Sequence, residues 1–183
     1  MEMPTAMSPV LKARVAGGFY LVTVIGSIYS FAIAGGTNGG HAAGLVAGTA
    51  NLVVTLLLFD LLRPVNGLVA LLAVFFNIEG SAHEHDPLAF FGCFCLCTGY
   101  LIYRSTFMPR LLGAAMALAG LGLLTNAYAP LLMPSFAHRL SPVGFTLDGI
   151  GELSLTLWLI VIGVNGRRWR EVKLLAERRA SAT

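Results

Sequence analysis

Six nearly uncharged apolar runs follow one another along 183 residues, at about 15–34, 42–62, 67–82, 88–103, 111–133 and 143–164. About 20 consecutive apolar residues are needed to cross a bilayer, and most of these runs meet that length. With no water in the hydrocarbon to satisfy backbone groups, a spanning chain must be helical or a closed barrel. Continuous runs exclude the alternating pattern of a barrel strand, so the expected fold is all-α, a polytopic transmembrane bundle of six helices. The composition agrees: 56% of residues are hydrophobic and 11% charged, against about 25% charged in a soluble domain. Lipid is the solvent this chain is built for.

The third and fourth runs are short and are expected to stand upright or thin the membrane locally. Compact turns separate the runs at 35–40, 63–66, 83–87, 104–109 and 134–142, and none is long enough for a second domain. The expected organisation is a six-helix transmembrane domain over 1–165 and a basic juxtamembrane tail over 166–183. The opening Met1-Glu2-Met3-Pro4 lacks the basic-then-apolar pattern of a cleaved signal, so the first run reads as a true span.

Orientation follows from the basic residues. With the N-terminus inside, Lys12, Arg14, Arg63, Arg104, Arg110, Arg167, Arg168, Arg170, Lys173, Arg178 and Arg179 all fall on the cytoplasmic side and Arg139 falls outside. An even number of spans with both termini cytoplasmic is what this asymmetry predicts. The net charge of +3 then reflects topology and argues for no nucleic-acid partner. The tail from Gly166 to Leu175 has two readings, an interfacial helix on anionic lipid and a solvated helix end.

Glu79 lies deep in the third run, and an ionisable group at such depth marks function or a specific internal partner. Counted from the cytoplasmic ends, Glu79 lies about 20 Å and Glu152 about 21 Å along their helices, at one level in the outer half. Glu79, His83 and Asp86 share one face of the third helix, and Asp148 and Glu152 share one face of the sixth. If those faces meet, five ionisable groups converge on an outward-opening cavity. Asn77, Asn126, Tyr20, Tyr29 and Tyr128 are candidate hydrogen-bonding neighbours. His41, His83, His85 and His138 all fall toward the outer side.

Three readings of this cluster compete. Glu79, His83, His85 and Asp86 offer the nitrogen and oxygen ligands of a divalent metal such as zinc, although no H-E-x-x-H pattern is present. Alternatively, Glu79 and Glu152, with Asp148 and Asn77 beside them, form a proton- or cation-linked pair in a carrier, since two close carboxylates resist being charged together. In the third reading each carboxyl hydrogen-bonds a neighbouring helix and locks the bundle.

Cys93, Cys95 and Cys97 alternate along the fourth run. They read as small packing residues, because a helical C-x-C-x-C cannot gather three sulfurs on one centre. Gly40, Gly44 and Gly48 in the second run, and Gly113, Ala117 and Gly120 in the fifth, form small-residue faces for close helix approach. Such faces serve packing within the chain or a homo-oligomer or membrane-protein partner, and bring Asn51 and Thr55 within reach of a neighbouring helix. Asp60 and Arg63 are spaced for an ion pair at a helix end. Trp169 fits an interfacial aromatic belt and Trp158 a packed position. No phosphate loop, Ser-His-Asp arrangement or haem-attachment motif is present, which ranks an enzyme behind a ligand-handling protein or an accessory subunit of a membrane complex.

The stretch Phe59-Asp60-Leu61-Leu62-Arg63-Pro64-Val65-Asn66 is one of several that carry a resemblance. The others are Gly99-Tyr100-Leu101-Ile102-Tyr103-Arg104-Ser105 with Pro109-Arg110-Leu111-Leu112-Gly113, and Gly151-Glu152-Leu153-Ser154-Leu155-Thr156-Leu157-Trp158-Leu159. Across about 16–164 the chain resembles a bacterial membrane family known as domain of unknown function 4386. The resemblance implies a six-span inner-membrane protein with acidic residues where Glu79 and Glu152 stand, and it brings no established activity. The chain departs from that pattern in a shorter first outer loop and in the turn His83-Glu84-His85-Asp86.

Overall fold

The computed structural model describes residues 7–82 and 87–181. Among them the chain is entirely helical: α1 (Pro9–Ile28), running directly into a wider π-helical turn (Tyr29–Ile33), α2 (Asn38–Leu62), α3 (Gly67–Ala82), α4 (Pro87–Arg104), α5 (Arg110–Leu132), α6 (Pro134–Val161) and α7 (Gly166–Ala180). Five helical segments are long and apolar enough to cross a membrane: Pro9–Ile33, Asn38–Leu62, Pro87–Arg104, Arg110–Leu132 and Ala137–Val161. The apolar part of α3, Gly67–Gly80, is shorter. Four of the helices, α1, α2, α3 and α7, start where a side chain satisfies an orphan backbone N–H group. Ser8 accepts from Leu11 N, Thr37 from Gly40 N, Asn66 from Val69 N and Asn165 from Arg168 N.

Each helix from α1 to α6 packs on its neighbour in sequence, and α6 packs back on α1, so the six form a closed ring. Close approaches set the direction of each pair. Gly17 of α1 meets Ile160 of α6, Gly99 of α4 meets Gly113 and Ala117 of α5, and Gly122 and Gly151 of α5 and α6 meet Gly144 and Ala119. An ideal Cβ on Gly113 would fall 2.5 Å from Tyr103 N, and one on Gly120 would fall 2.6 Å from Gly92 O. Without a hydrophobic driving force between helices in lipid, close backbone contact supplies the attraction. The fifth-helix small face is therefore used within the chain. In the second helix, Gly40 sits against Ala34 O and Gly44 near Ser30 Oγ, whereas Gly48 faces open space.

The start of α1 and the end of α6 lie together, with Gly163 and Gly166 against Val10 and Pro9. The same end carries an ion-pair cluster. Asp60 at the end of α2 is shared between Lys12 of α1 and Arg63, the latter at 3.0 Å. The core between the helices is filled by Tyr20, Phe94, Met116, Leu123, Leu155 and Leu159, all fully buried.

Several local expectations are corrected. Residues 134–142 form no turn, because α6 begins at Pro134 and continues through Pro142. The fixed φ of Pro134 at the first helical position favours a start there, and the single residue Met133 joins α5 to α6. Trp169 is no belt residue. It is 7% exposed and its indole donates to Leu61 O at 2.8 Å, closing the end of α2. Thr55 bonds no neighbouring helix; its hydroxyl donates back to Asn51 O at 2.8 Å. The tail is helical as α7 and folds beneath the bundle.

Candidate functional site

The sixth helix supplies a polar stripe at one-turn intervals, Asp148, Glu152 and Thr156, which the 3.6-residue period places on one face. That face meets α1. The hydroxyl of Tyr20, fully buried, donates to Glu152 Oε1 at 2.9 Å. Gly17, one turn before Tyr20, is what lets α1 approach so closely, since a Cβ there would lie 2.8 Å from Ile160 atoms. Asp148 and Glu152 are both half-buried. Asp148 Oδ1 is enclosed without a hydrogen-bond partner among the described residues, and so is the hydroxyl of fully buried Thr156.

Cys95 of α4 is buried in the same core. Its thiol is fully buried and lies within the electrostatic reach of both Glu152 and Asp148. Cys93 and Cys97, on the other side of α4, are partly exposed. Nothing in the C-x-C-x-C spacing reveals that the middle thiol is the fully buried one. The stripe at 148, 152 and 156, by contrast, is visible in the spacing.

The third helix carries a separate polar station. Asn77 is buried and accepts from Asn51 Nδ2 of α2 at 3.0 Å. Glu79, half-buried, lies two residues further on. α3 packs on α2 and α4, whereas α6 packs on α5 and α1. Asp148 and Glu152 thus share one helix, α6, while Asn77 bonds α2 and Glu79 stands on α3.

Of the other expected neighbours, Asn126 of α5 donates to Ser141 O of α6 at 3.2 Å, with its Oδ1 enclosed against Gly144. Tyr29 and Tyr128 are exposed on the outside of the bundle. His83, His85 and Asp86 lie outside the described residues. Among the described residues, no three His, Cys, Asp or Glu side chains gather to hold a metal.

Comparison with known proteins locates the chain in a family. The family model described as domain of unknown function (DUF4386) matches residues 82–163, a narrower stretch than the 16–164 of the sequence resemblance. An uncharacterized protein of Archaeoglobus fulgidus is 30% identical over 140 residues, covering 67% of this chain and 80% of the relative. That relative is archaeal, so the likeness is not confined to bacteria. No solved structure matches. The Asp148–Glu152 stripe, the α5–α6 glycine contacts and the whole of α4 fall inside the matched residues, and the chain belongs to the DUF4386 family of unknown function.

Proposed function

We propose that this protein crosses the cytoplasmic membrane six times, with both termini inside, and handles a proton or small cation at Glu152 and Asp148. The observation that carries this reading is the meeting of Tyr20 with a two-acid stripe inside an apolar ring. Two carboxylates one turn apart repel, and a low-dielectric surround magnifies the repulsion. A bound proton or cation offsets it. Tyr20 holds one oxygen of Glu152 in place, while Asp148 Oδ1 retains a free acceptor among the described residues. Glu79 and Asn77 on α3 serve, in this reading, as the outer approach.

The six-span count draws support from direction. α2 and α4 both end in basic residues, Arg63 and Arg104, and α1 and α5 begin near Lys12 and Arg110. A chain that passes twice in one direction through α2 and α4 has to return through α3, whose largely apolar 14-residue stretch spans about 21 Å. Local thinning of the bilayer accommodates the shortfall. Arg139 then stands alone at the opposite end, in keeping with the positive-inside asymmetry.

The test is proton flux in sealed vesicles. Wild-type protein reconstituted with an internal pH-sensitive dye is expected to admit protons faster than protein-free vesicles under a potassium diffusion potential. Glu152→Gln is expected to abolish the difference. A folded Glu152→Gln protein with unchanged flux, or a wild type no faster than empty vesicles, removes this reading.

One feature favours an accessory role in a membrane complex instead. An apolar groove of about 340 Å³ runs between α1 and α2, lined by Phe19, Val22, Leu45, Val46 and Thr49. Gly18 and Gly48 nearby have nothing within 4 Å of an added Cβ, which suits close approach of a partner helix. Replacing Gly48 by Leu would abolish assembly in that case and leave vesicle flux untouched.

A further inference from the structure

α7 turns beneath the basic end of the ring instead of continuing α6. Three hydrogen bonds fix its first turns: Asn165 N–H to Phe107 O at 3.1 Å, Arg168 Nη1 to Thr106 O at 3.1 Å, and Trp169 Nε1 to Leu61 O at 2.8 Å. The helix then runs toward the α2–α3 turn, where a notch of about 320 Å³ opens between them. Phe59, Pro64 and Trp169 wall the notch, and Arg63 and Lys173 stand on opposite sides of it. Lys173 lies over the Trp169 ring, 5.5 Å from its centre, and Arg63 lies 6.0 Å from the centre of Phe59. Both cations are thus held beside apolar walls.

Each cation has one carboxylate neighbour, and both pairs remain open to solvent. Asp60 is shared between Arg63 and Lys12. Glu177, which also borders the notch, faces Lys173 at 3.8 Å with both side chains largely in solvent. Along α7, six basic residues (Arg167, Arg168, Arg170, Lys173, Arg178 and Arg179) stand against Glu171 and Glu177. Arg170, Arg178 and Arg179 are exposed and have no carboxylate partner among the described residues. The notch sits where α2 leaves its apolar stretch, which in the spanning arrangement proposed above is the level of lipid headgroups. A small soluble anion would gain nothing from Phe59, Pro64 and Trp169, whereas an amphiphile uses both the cations and the walls.

We propose that this notch seats the phosphate of an anionic phospholipid between Arg63 and Lys173, with the glycerol and acyl portion running along Phe59. Surface attraction to an anionic leaflet is worth about a fivefold gain per basic residue, and the notch adds a fixed position to it. The proposal is independent of any proton or cation site at Glu152.

Trp169 provides the reporter. Full-length protein carrying Trp158→Phe is reconstituted in phosphatidylcholine vesicles containing a small share of brominated phosphatidylglycerol or brominated phosphatidylcholine. The anionic lipid is expected to quench Trp169 with an apparent association about fivefold or more above the zwitterionic one. Lys173→Gln is expected to lower that ratio several-fold, and Arg63→Gln with Lys173→Gln to bring it near one. Arg178→Gln with Arg179→Gln, outside the notch, is expected to leave most of it.

A wild-type ratio near one overturns the proposal. So does an equal loss in the Arg178/Arg179 variant, which would mean diffuse attraction to a charged surface. Relief of quenching by inorganic phosphate at moderate concentration would assign the notch to a soluble anion and overturn it as well. Should the Trp158→Phe chain not fold, native mass spectrometry of the delipidated wild type decides between the same outcomes. Retained phosphatidylglycerol, lost with Lys173→Gln, supports the site, and indifferent binding of both lipids removes it.

Discussion

Tyr20 donates to Glu152 across 2.9 Å, although 132 residues separate them in the chain. The bond ties the first helix to the sixth in the middle of an apolar ring. Interhelical hydrogen bonds in membranes are worth less than their burial suggests, since the unfolded helices also find partners in lipid.

Removing the donor tests that bond. Tyr20→Phe is expected to lower stability by about 1 kcal/mol, read as a fall in the thermal midpoint in detergent. Glu152→Gln is expected to cost less, because the tyrosine can still donate to the amide oxygen. Equal losses in both variants would mean that the carboxylate itself matters as much as the hydrogen bond.

Gly113 and Gly48 make a paired test of small-residue packing. A Cβ on Gly113 meets Tyr103 N at 2.5 Å, so Gly113→Ala must push α4 and α5 apart and is expected to cost about 2 kcal/mol or more. Gly48→Ala meets nothing within 4 Å and is expected to be neutral or to stabilise by about 0.5 kcal/mol through the unfolded chain. Unfolding curves of the two single variants check the contrast, and similar losses would contradict it.

Trp169→Phe keeps the aromatic wall and deletes the indole N–H that Leu61 O accepts. The expected cost is about 1 kcal/mol, concentrated in α7 and not spread over the ring. Hydrogen exchange should show faster exchange across 166–180 with the spans unchanged. Uniform loosening of all helices would show that α7 docking is coupled to the whole bundle.

Asp60→Asn deprives Lys12 and Arg63 of their shared carboxylate. All three side chains keep some contact with solvent, so the expected loss is at most about 1 kcal/mol and shrinks as salt is added. A large loss unaffected by salt would mean that Asp60 is held by packing and not by its charge partners.

Bilayer thickness imposes a length on every span, and for that reason the long apolar stretches are readable from the sequence one residue type at a time. The short third helix reads as a crossing in the sequence, yet its 14-residue stretch equally suits a helix that stops partway, and length alone does not separate the two. Residues 134–142 misread because proline signals both a turn and a helix start, and the choice rests on Met133 and on what α6 packs against. The stripe Asp148–Glu152 follows from helical period alone. Its partners do not: Tyr20 and Cys95 come from two other helices, and their convergence is decided by glycine-sized approaches such as Gly17 on Ile160. Trp169 is similar, an aromatic near a membrane boundary whose buried bond to Leu61 depends on α7 turning back.

Ring closure by α1 and α6 also orders the assembly of the chain in time. α1 waits through the synthesis of four other helices before α6 emerges, and during that interval the tyrosine hydroxyl lacks Glu152. A translation intermediate halted before residue 134 should therefore be an open crescent, with the Gly17 seam bare and available to whatever membrane chaperone or neighbour arrives first.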